Sequence, residues 1–332
     1  MQEKDSVILS IDLGGTKILT ALVDEHGSIL ARDYVETPAT EGQNATIQAM
    51  VEASQRVMRR MNTASSALRA VGIGAAGLVD SRTGILYTAP HLPGWNNVPL
   101  ERIMSERLDK KTYIVNDANA AALGELRYGA AKGSRDCIYV TVSTGIGGGI
   151  IINGELYTGA AGTAGELGHM VIDDDGPLCH CGNKGCWEML ASGTALSGEA
   201  QRLVKEGRVT TMSSLAGGLT GGITAQIVHQ AAQAGDELAK SLINKNAYYL
   251  GVGLANLVNL FSPELVVIGG GLSNIGDMLL RPAYEEASRR AFKQPYGTTR
   301  FVRAALGSDS GILGAAAFAM GKIGRTKATH GG

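Results

Sequence analysis

Residues Val7-Ile-Leu-Ser-Ile-Asp-Leu-Gly-Gly-Thr-Lys-Ile-Leu-Thr-Ala-Leu-Val23 decide the fold. An apolar run over 7–11 ends at Asp12, a glycine turn follows, and a second apolar run fills 18–23, so the pattern reads as strand, turn, strand. A third strand candidate at 29–36 makes a meander of it. The pattern restarts at Cys137: residues 137–142 form a strand, Ser143-Thr-Gly-Ile-Gly-Gly-Gly149 a glycine turn, and 150–152 resume the strand. Two such units point to a duplication, with related α/β halves facing one another; independent recurrence of glycine hairpins is the other reading.

The intervening segments fit the α/β pattern. Apolar Met50, Val51, Val57, Met58 and Met61 predict a helix over 43–61, and a strand over 68–73 runs into Gly74-Ala-Ala-Gly77. Ile114-Val115 is a short strand that delivers Asn116-Asp117 to the start of an alanine-rich helix over 118–129. Helices are expected at 192–206, 223–233 and 237–260, with an irregular cysteine-bearing loop at 173–190. A strand at 265–268 leads into Gly269-Gly270-Gly271, and a small-residue helix covers 308–320.

Composition narrows the function. The 332 residues carry 30 Lys+Arg against 31 Asp+Glu, which leaves no basic excess for a nucleic acid backbone. At 44% hydrophobic and 18% charged residues, the chain is too apolar to be disordered. There is no run of about 18 uncharged apolar residues. Met1-Gln-Glu-Lys-Asp5 lacks the basic then apolar layout of a signal peptide, so the expected location is the cytoplasm, away from membranes. Glycine, 46 of 332 residues, is about twice its usual frequency, which implies many places where backbone must be bare.

Loops of Gly, Thr and Ser can wrap a phosphate with unobstructed backbone N–H groups. Asp12–Lys17 and Ser143–Gly149 both fit; the second is not a P-loop, because no Gly-Lys-Ser/Thr follows, and neither is a dinucleotide fingerprint, because a strand, not a long helix, succeeds each turn. Taken singly, each loop fits ordinary turn chemistry as well. With Gly269–Gly271 as a third, and Asp12 able to hold hydrated Mg²⁺, the set points to a nucleotide. Cys179-x-Cys181-x4-Cys186 offers three soft metal ligands, with His169 or His180 as a fourth; free or disulfide-bonded thiols are the alternative. Cys137, inside an apolar strand, reads as a small buried hydrophobe.

Asp12-Leu-Gly-Gly-Thr-Lys17, Asn116-Asp117 before Ala-Asn-Ala-Ala-Ala-Leu-Gly-Glu125, Val142-Ser-Thr-Gly through Gly165-Glu-Leu-Gly-His169, and Cys179-His-Cys-Gly-Asn-Lys-Gly-Cys-Trp-Glu188 together resemble the ROK family of repressors, open reading frames and sugar kinases. The motifs follow family order from about residue 7 to 320. The resemblance implies the α/β actin-like, hexokinase-like ATPase fold, two RNase-H-like domains flanking an active-site cleft. The expected division is a small domain over 1–117, completed by a C-terminal helix at about 308–325, and a large domain over 118–307 with a zinc loop at 169–188.

The activity implied is ATP-dependent phosphorylation of a hexose 6-hydroxyl, foremost that of D-glucose. N-acetylmannosamine, N-acetylglucosamine, fructose and allose are the alternative substrates. Asp117 would accept the hydroxyl proton, kept ionised by the dipole of the helix it begins; on its residues alone it reads first as an N-cap. Asn116 would bond a sugar hydroxyl, or simply form the turn. The resemblance puts Glu166, His169 and Glu188 around the sugar ring, and Gly77 and Asn96-Asn97 more weakly on its far side. Gly14, Gly15, Thr16, Thr144 and Gly145 would meet phosphates, with Lys17 either joining them or exposed on its strand. Gly269, Gly270 and Gly271 would border adenosine. His169, Cys179, Cys181 and Cys186 would hold a structural Zn²⁺, which would order the sugar pocket through His169 without touching the phosphates. A homo-oligomer, dimer or tetramer, is expected. DNA-binding members carry a winged helix-turn-helix before the first phosphate loop, and the eleven residues ahead of Asp12 disfavour a regulator.

Overall fold

The opening meander forms as β1 (Val7–Leu13), β2 (Lys17–Val23) and β3 (Ile29–Glu36) in the computed structural model, which describes residues 7–61 and 67–328. The Met1–Asp5 stretch read for a signal peptide lies outside the described residues. There follow α1 (Gln43–Arg60), β4 (Leu68–Ala75), β5 (Leu78–Asp80), β6 (Ile85–Thr88), β7 (Asn96–Val98), α2 (Leu100–Leu108), β8 (Thr112–Asn116) and α3 (Asp117–Tyr128). The pattern restarts with β9 (Cys137–Val142), β10 (Ile146–Ile152) and β11 (Glu155–Leu156). Next come α4 (Trp187–Ala191), α5 (Gly193–Lys205), α6 (Thr211–Leu215), α7 (Ala225–Gln233) and α8 (Glu237–Phe261). β12 (Leu265–Gly269), α9 (Asp277–Arg290), α10 (Lys293–Thr298), β13 (Arg300–Arg303) and α11 (Ser310–Ala328) complete the described chain.

The two five-stranded sheets share one plan, with orders β3-β2-β1-β4-β8 and β11-β10-β9-β12-β13. In the first, β1 pairs antiparallel with β2 and parallel with β4, which pairs parallel with β8. In the second, β9 pairs parallel with β12, which pairs parallel with β13, while β10 and β11 form an antiparallel hairpin. The repeated order is what a duplicated α/β half would leave behind. A third sheet, β5-β6-β7, was not legible in the sequence.

The chain divides into two compact units: Met1–Arg135 with Gly149–Gly165 and Ala304–Gly332, and Asp136–Gly148 with Glu166–Arg303. In the first unit, strand alternation buries both sheet faces. Leu9, Ile11 and Leu13 pack with Ile47, Met50 and Met104, whereas Ile8 packs with Ile312, Leu313 and Ala316 of α11. α3 lies along α11 at close range: a Cβ on Gly314 would collide with the Ala120 carbonyl, and one on Gly124 with the Ser310 carbonyl. This small-residue contact carries α3 into the first unit, past the boundary at 117 that the sequence suggested. Glu125, fully buried on α3, accepts hydrogen bonds from the amides of Ala130, Ala305 and Leu306, which ties the approach to α11 onto the same helix.

In the second unit the glycine turn is shorter than its sequence suggests. β10 begins at Ile146, so Gly147–Gly149 are strand residues, not loop. At Gly148 bareness serves packing: a Cβ there would strike the Leu167 side chain and lie 2.7 Å from the Tyr139 carbonyl. Trp187 is fully buried against Gly253 of α8 and donates its indole N–H to the Tyr249 carbonyl at 2.9 Å, anchoring the cysteine loop. Among the described residues, no helix is long and apolar enough to cross a membrane.

Candidate active site and metal centre

Parallel pairing places Asp12, Gly74 and Val115 in register at the C-terminal ends of β1, β4 and β8, with Asn116 and Asp117 next along the chain. In sheets of this kind, ligands gather at the carboxyl ends of the strands. Gly74 lies beside the start of α3: a Cβ there would be 3.4 Å from the Ala120 Cβ and 3.9 Å from the Asp117 Cα, ordinary contact distances. The N-cap of α3 is Asn116, not Asp117. Its Oδ1 accepts the Ala118 and Asn119 amides at 2.9 and 3.0 Å, while its Nδ2 donates to the Gly77 carbonyl at 3.0 Å. Asp117 therefore begins the helix without being its N-cap residue, although its Oδ1 also accepts from Ala118 N at 2.9 Å.

The two carboxylates share an environment that disfavours charge on both. Burial, with the charge of Asp117 beside it, pushes Asp12 up to about 6 against the opposing pull of Lys17. Burial likewise pushes Asp117 above the usual carboxylate range, and the Ala118 amide offsets only part of that. The helix start lowers Asp117, as its amide contacts show, but desolvation outweighs them and sets the direction of the shift. Gly311, in the first turn of α11, lies over Asp12, where a Cβ would be 3.2 Å from Oδ2. No local signal joins Gly311 to Asp12 in the sequence; the α11 contact makes the pair.

The first glycine turn closes through Gly14 N donating to the Lys17 carbonyl at 2.9 Å, and Thr37 binds it from β3's end through its hydroxyl to the Gly14 carbonyl at 2.8 Å. Gly15 is bare because a Cβ would collide with His91, a neighbour the sequence did not suggest. Thr16 and Lys17 are exposed.

In the second unit, Ser143 and Thr144 are exposed, and their carbonyls accept the Gly193 and Thr194 amides at 2.7 and 3.2 Å, which fastens the turn to the start of α5. Gly270, at φ 85°, lies against the Val142 backbone, and a Cβ on Gly271 would be 3.7 Å from Ser143 Oγ. The 143–145 and 269–271 turns are therefore neighbours in one unit. Glu188 Oε2 accepts the Ile146 amide at 2.9 Å, and Oε1 lies 3.1 Å from His180 Nε2. Glu166 is exposed just before the 3₁₀ turn Leu167–His169, and a Cβ on Gly168 would run into the Ile146 carbonyl.

His169, Cys179, Cys181 and Cys186 converge, with their ligand atoms all within 4.8 Å of one another. Cys179 Sγ lies 3.6 Å from His169 Nδ1, and Cys181 Sγ lies 3.5 Å from Cys186 Sγ. Those spacings suit four donors around one tetrahedral ion and exclude an S–S bond. Burial and the neighbouring sulfurs push the Cys186 thiol up to about 12, a crowding that a soft divalent cation relieves. The donor set fits Zn²⁺. His180 stands outside this quartet and instead belongs to a second group with Cys179 and Glu188, which carries one carboxylate in place of two sulfurs. Cys137 is buried in β9, where burial pushes it up to about 12.

The expected site residues thus fall into two sets, one per unit: Asp12, Gly14, Gly15, Thr16, Lys17, Gly77, Asn116 and Asp117 in the first, and Thr144, Gly145, Glu166, Glu188, His169, the cysteines and Gly269–Gly271 in the second. The architecture is that of the actin-like, hexokinase-type ATPases, a mixed α/β class. The ROK family model matches residues 8–322, and the chain belongs to that family. The glucokinase of Thermotoga maritima is 36% identical over 320 residues, 96% of this chain and 98% of the relative. That of Streptomyces coelicolor is 38% identical over 311 residues, 93% and 96% of the two chains. The structure of a ROK family glucokinase from Streptomyces griseus in complex with glucose and AMPPNP matches with TM-score 0.82 at 36% identity, covering 95% of this chain and all of that one.

Proposed function

We propose that this protein is an ATP-dependent glucokinase, transferring the γ-phosphoryl group of ATP to the 6-hydroxyl of D-glucose to give glucose 6-phosphate and ADP. The observation that carries the reading is the pairing of Asp12 and Asp117 on the carboxyl edge of one parallel sheet, in a chain that aligns almost end to end with glucokinases. Phosphoryl transfer needs positioning, charge neutralisation and a proton acceptor. Asp117 accepts the proton of the sugar hydroxyl as that oxygen bonds to phosphorus and the bond from phosphorus to the bridging oxygen of ADP breaks. Burial raises the Asp117 carboxyl, which makes its carboxylate a stronger proton acceptor, and in a loose transition state the proton leaves late.

Asp12 is the residue that would hold Mg²⁺, directly or through water, and a buried carboxylate pushed up to about 6 by burial and by Asp117 beside it is relieved by a hard cation. When bound, the ion neutralises charge on the phosphates. Gly14, Gly15, Thr16, Lys17, Thr144 and Gly145 offer the amides, hydroxyls and charge that phosphates require, and Gly269–Gly271 offer a bare surface for adenosine. Asn116, with one Nδ2 proton beyond its bond to Gly77, together with Gly77, Glu166, His169 and Glu188, would bind the sugar. His169 Nδ1 faces Cys179 Sγ at 3.6 Å; if that nitrogen held the Zn²⁺, the other ring nitrogen would be a fixed N–H donor for a hydroxyl. Cytoplasmic location and assembly as a dimer or tetramer, without nucleic acid, accompany this reading.

The test is a coupled ADP-release assay with Mg-ATP over glucose, mannose, fructose, N-acetylglucosamine and N-acetylmannosamine, run beside Asp117→Asn. Glucose is expected to be turned over fastest, and kcat of the variant to fall by about 10²–10⁴ with glucose still bound. Faster turnover of an N-acetyl sugar would reassign the substrate, and no turnover of any sugar would refute the kinase reading.

A further inference from the structure

We infer that His180, an exposed histidine inside the metal loop, is a positioning residue for the nucleotide's phosphates. Its position follows from three contacts in the second unit. Its Nε2 lies 3.1 Å from Glu188 Oε1; the other carboxylate oxygen, Oε2, accepts the Ile146 amide at 2.9 Å; and that oxygen lies where a Cβ on Gly145 would have to go. Glu188 is therefore a strut between the cysteine loop and the Thr144-Gly145 turn. Its side chain is only 16% exposed, against 66% for His180, so the histidine closes the strut's outer end.

The neighbours of His180 in the chain, Cys179 and Cys181, belong to the metal-ligand quartet, whereas His180 points its nitrogen to Glu188. A filled quartet fixes both flanks of His180, so the metal loop reaches the phosphate turn as well as the sugar side. This goes beyond the expectation that zinc orders the sugar pocket alone. The inference rests on the proposed use of Thr144 and Gly145 for phosphate.

The experiment compares zinc-loaded wild type, His180→Ala and His180→Gln by calorimetric titration with Mg-AMPPNP in the absence of sugar, with zinc content measured on each protein. Gln places an Nε2 donor where the imidazole nitrogen was, and Ala does not. His180→Ala is expected to weaken Mg-AMPPNP about fivefold, the worth of roughly one hydrogen bond. Its zinc content should be unchanged, and His180→Gln should recover affinity close to wild type. Equal affinity in all three would overturn the inference while leaving the kinase reading intact. Loss of zinc from His180→Ala would also overturn it, by making His180 a metal ligand. A wild type that binds no Mg-AMPPNP would overturn the kinase reading and this inference together.

Discussion

Asn116 joins two elements that meet at the carboxyl edge of the first sheet: its oxygen caps the helix that Asp117 begins, and its nitrogen holds the Gly77 carbonyl at 3.0 Å. The proposed base is thus located by its neighbour. Asn116→Ala should cost about 1–2 kcal/mol through loss of the cap. Asn116→Asp should keep the cap yet lose the donor to Gly77, and bring a further carboxylate beside Asp117. We expect Asn116→Asp to keep the capping part of the stability that Asn116→Ala loses and still to lose kcat by tenfold or more, whereas Asn116→Ala loses both. Wild-type kcat in either variant would show that the cap does not position Asp117.

The acid-base behaviour of Asp12 gives a stability signature independent of catalysis. Its carboxyl sits at about 6 in the folded chain against 3.8 for the ordinary group, so folding favours the protonated form. The stabilising contribution is fully present below about pH 4 and is lost as pH rises through about 6. In magnesium-free buffer, Asp12→Asn should therefore be more stable than wild type at pH 7.5, by at most about 3 kcal/mol, with the difference vanishing towards pH 4. Urea unfolding across that range reads it, and Mg²⁺ should narrow the gap at neutral pH by stabilising the wild type alone. A pH-independent difference would refute a buried Asp12 carboxyl pushed up to about 6.

Much of this was legible because strands and glycine turns leave local marks. The runs around Asp12 and Ser143 fixed two hairpins, and the repeated strand order confirms the plan they suggested. The cysteine spacing pointed to the quartet that the structure brings together. What stayed hidden depends on contacts between distant residues. Gly311 over Asp12, His91 against Gly15, and the α3–α11 contact through Gly124 and Gly314 have no periodicity to betray them. The glycines of β10 misled for the same reason: bareness demanded by Leu167 across a strand looks, in one dimension, like a loop. The upward push on Asp117 was not legible either, because a helix terminus is a local feature, whereas burial belongs to the assembled sheet edge.

Metal content should control the cysteine loop. The purified protein is expected to hold one Zn²⁺ per chain by elemental analysis, and Cys186→Ser, at a fully buried ligand, to lose it. Chelation should lower thermal stability and raise the sugar KM, because Trp187, next in the chain, anchors the loop on α8. Zinc-free protein with unchanged melting temperature and sugar KM would show that the quartet is not a structural metal site.

The second phosphate turn can be probed by adding a single carbon. A Cβ on Gly145 would collide with Glu188 Oε2 and lie 3.0 Å from Cδ, so Gly145→Ala must push the carboxylate away from the Ile146 amide. Gly198, exposed in α5 with nothing within 4 Å of its would-be Cβ, provides the contrast. Gly198→Ala should stabilise the chain by up to about 1 kcal/mol through helix propensity. Gly145→Ala should raise the Mg-ATP KM by tenfold or more, and to a greater extent than the glucose KM if the turn serves phosphate. Should the glucose KM rise alone, Glu188 would act only on the sugar, and the 143–145 turn would have to be removed from the nucleotide site.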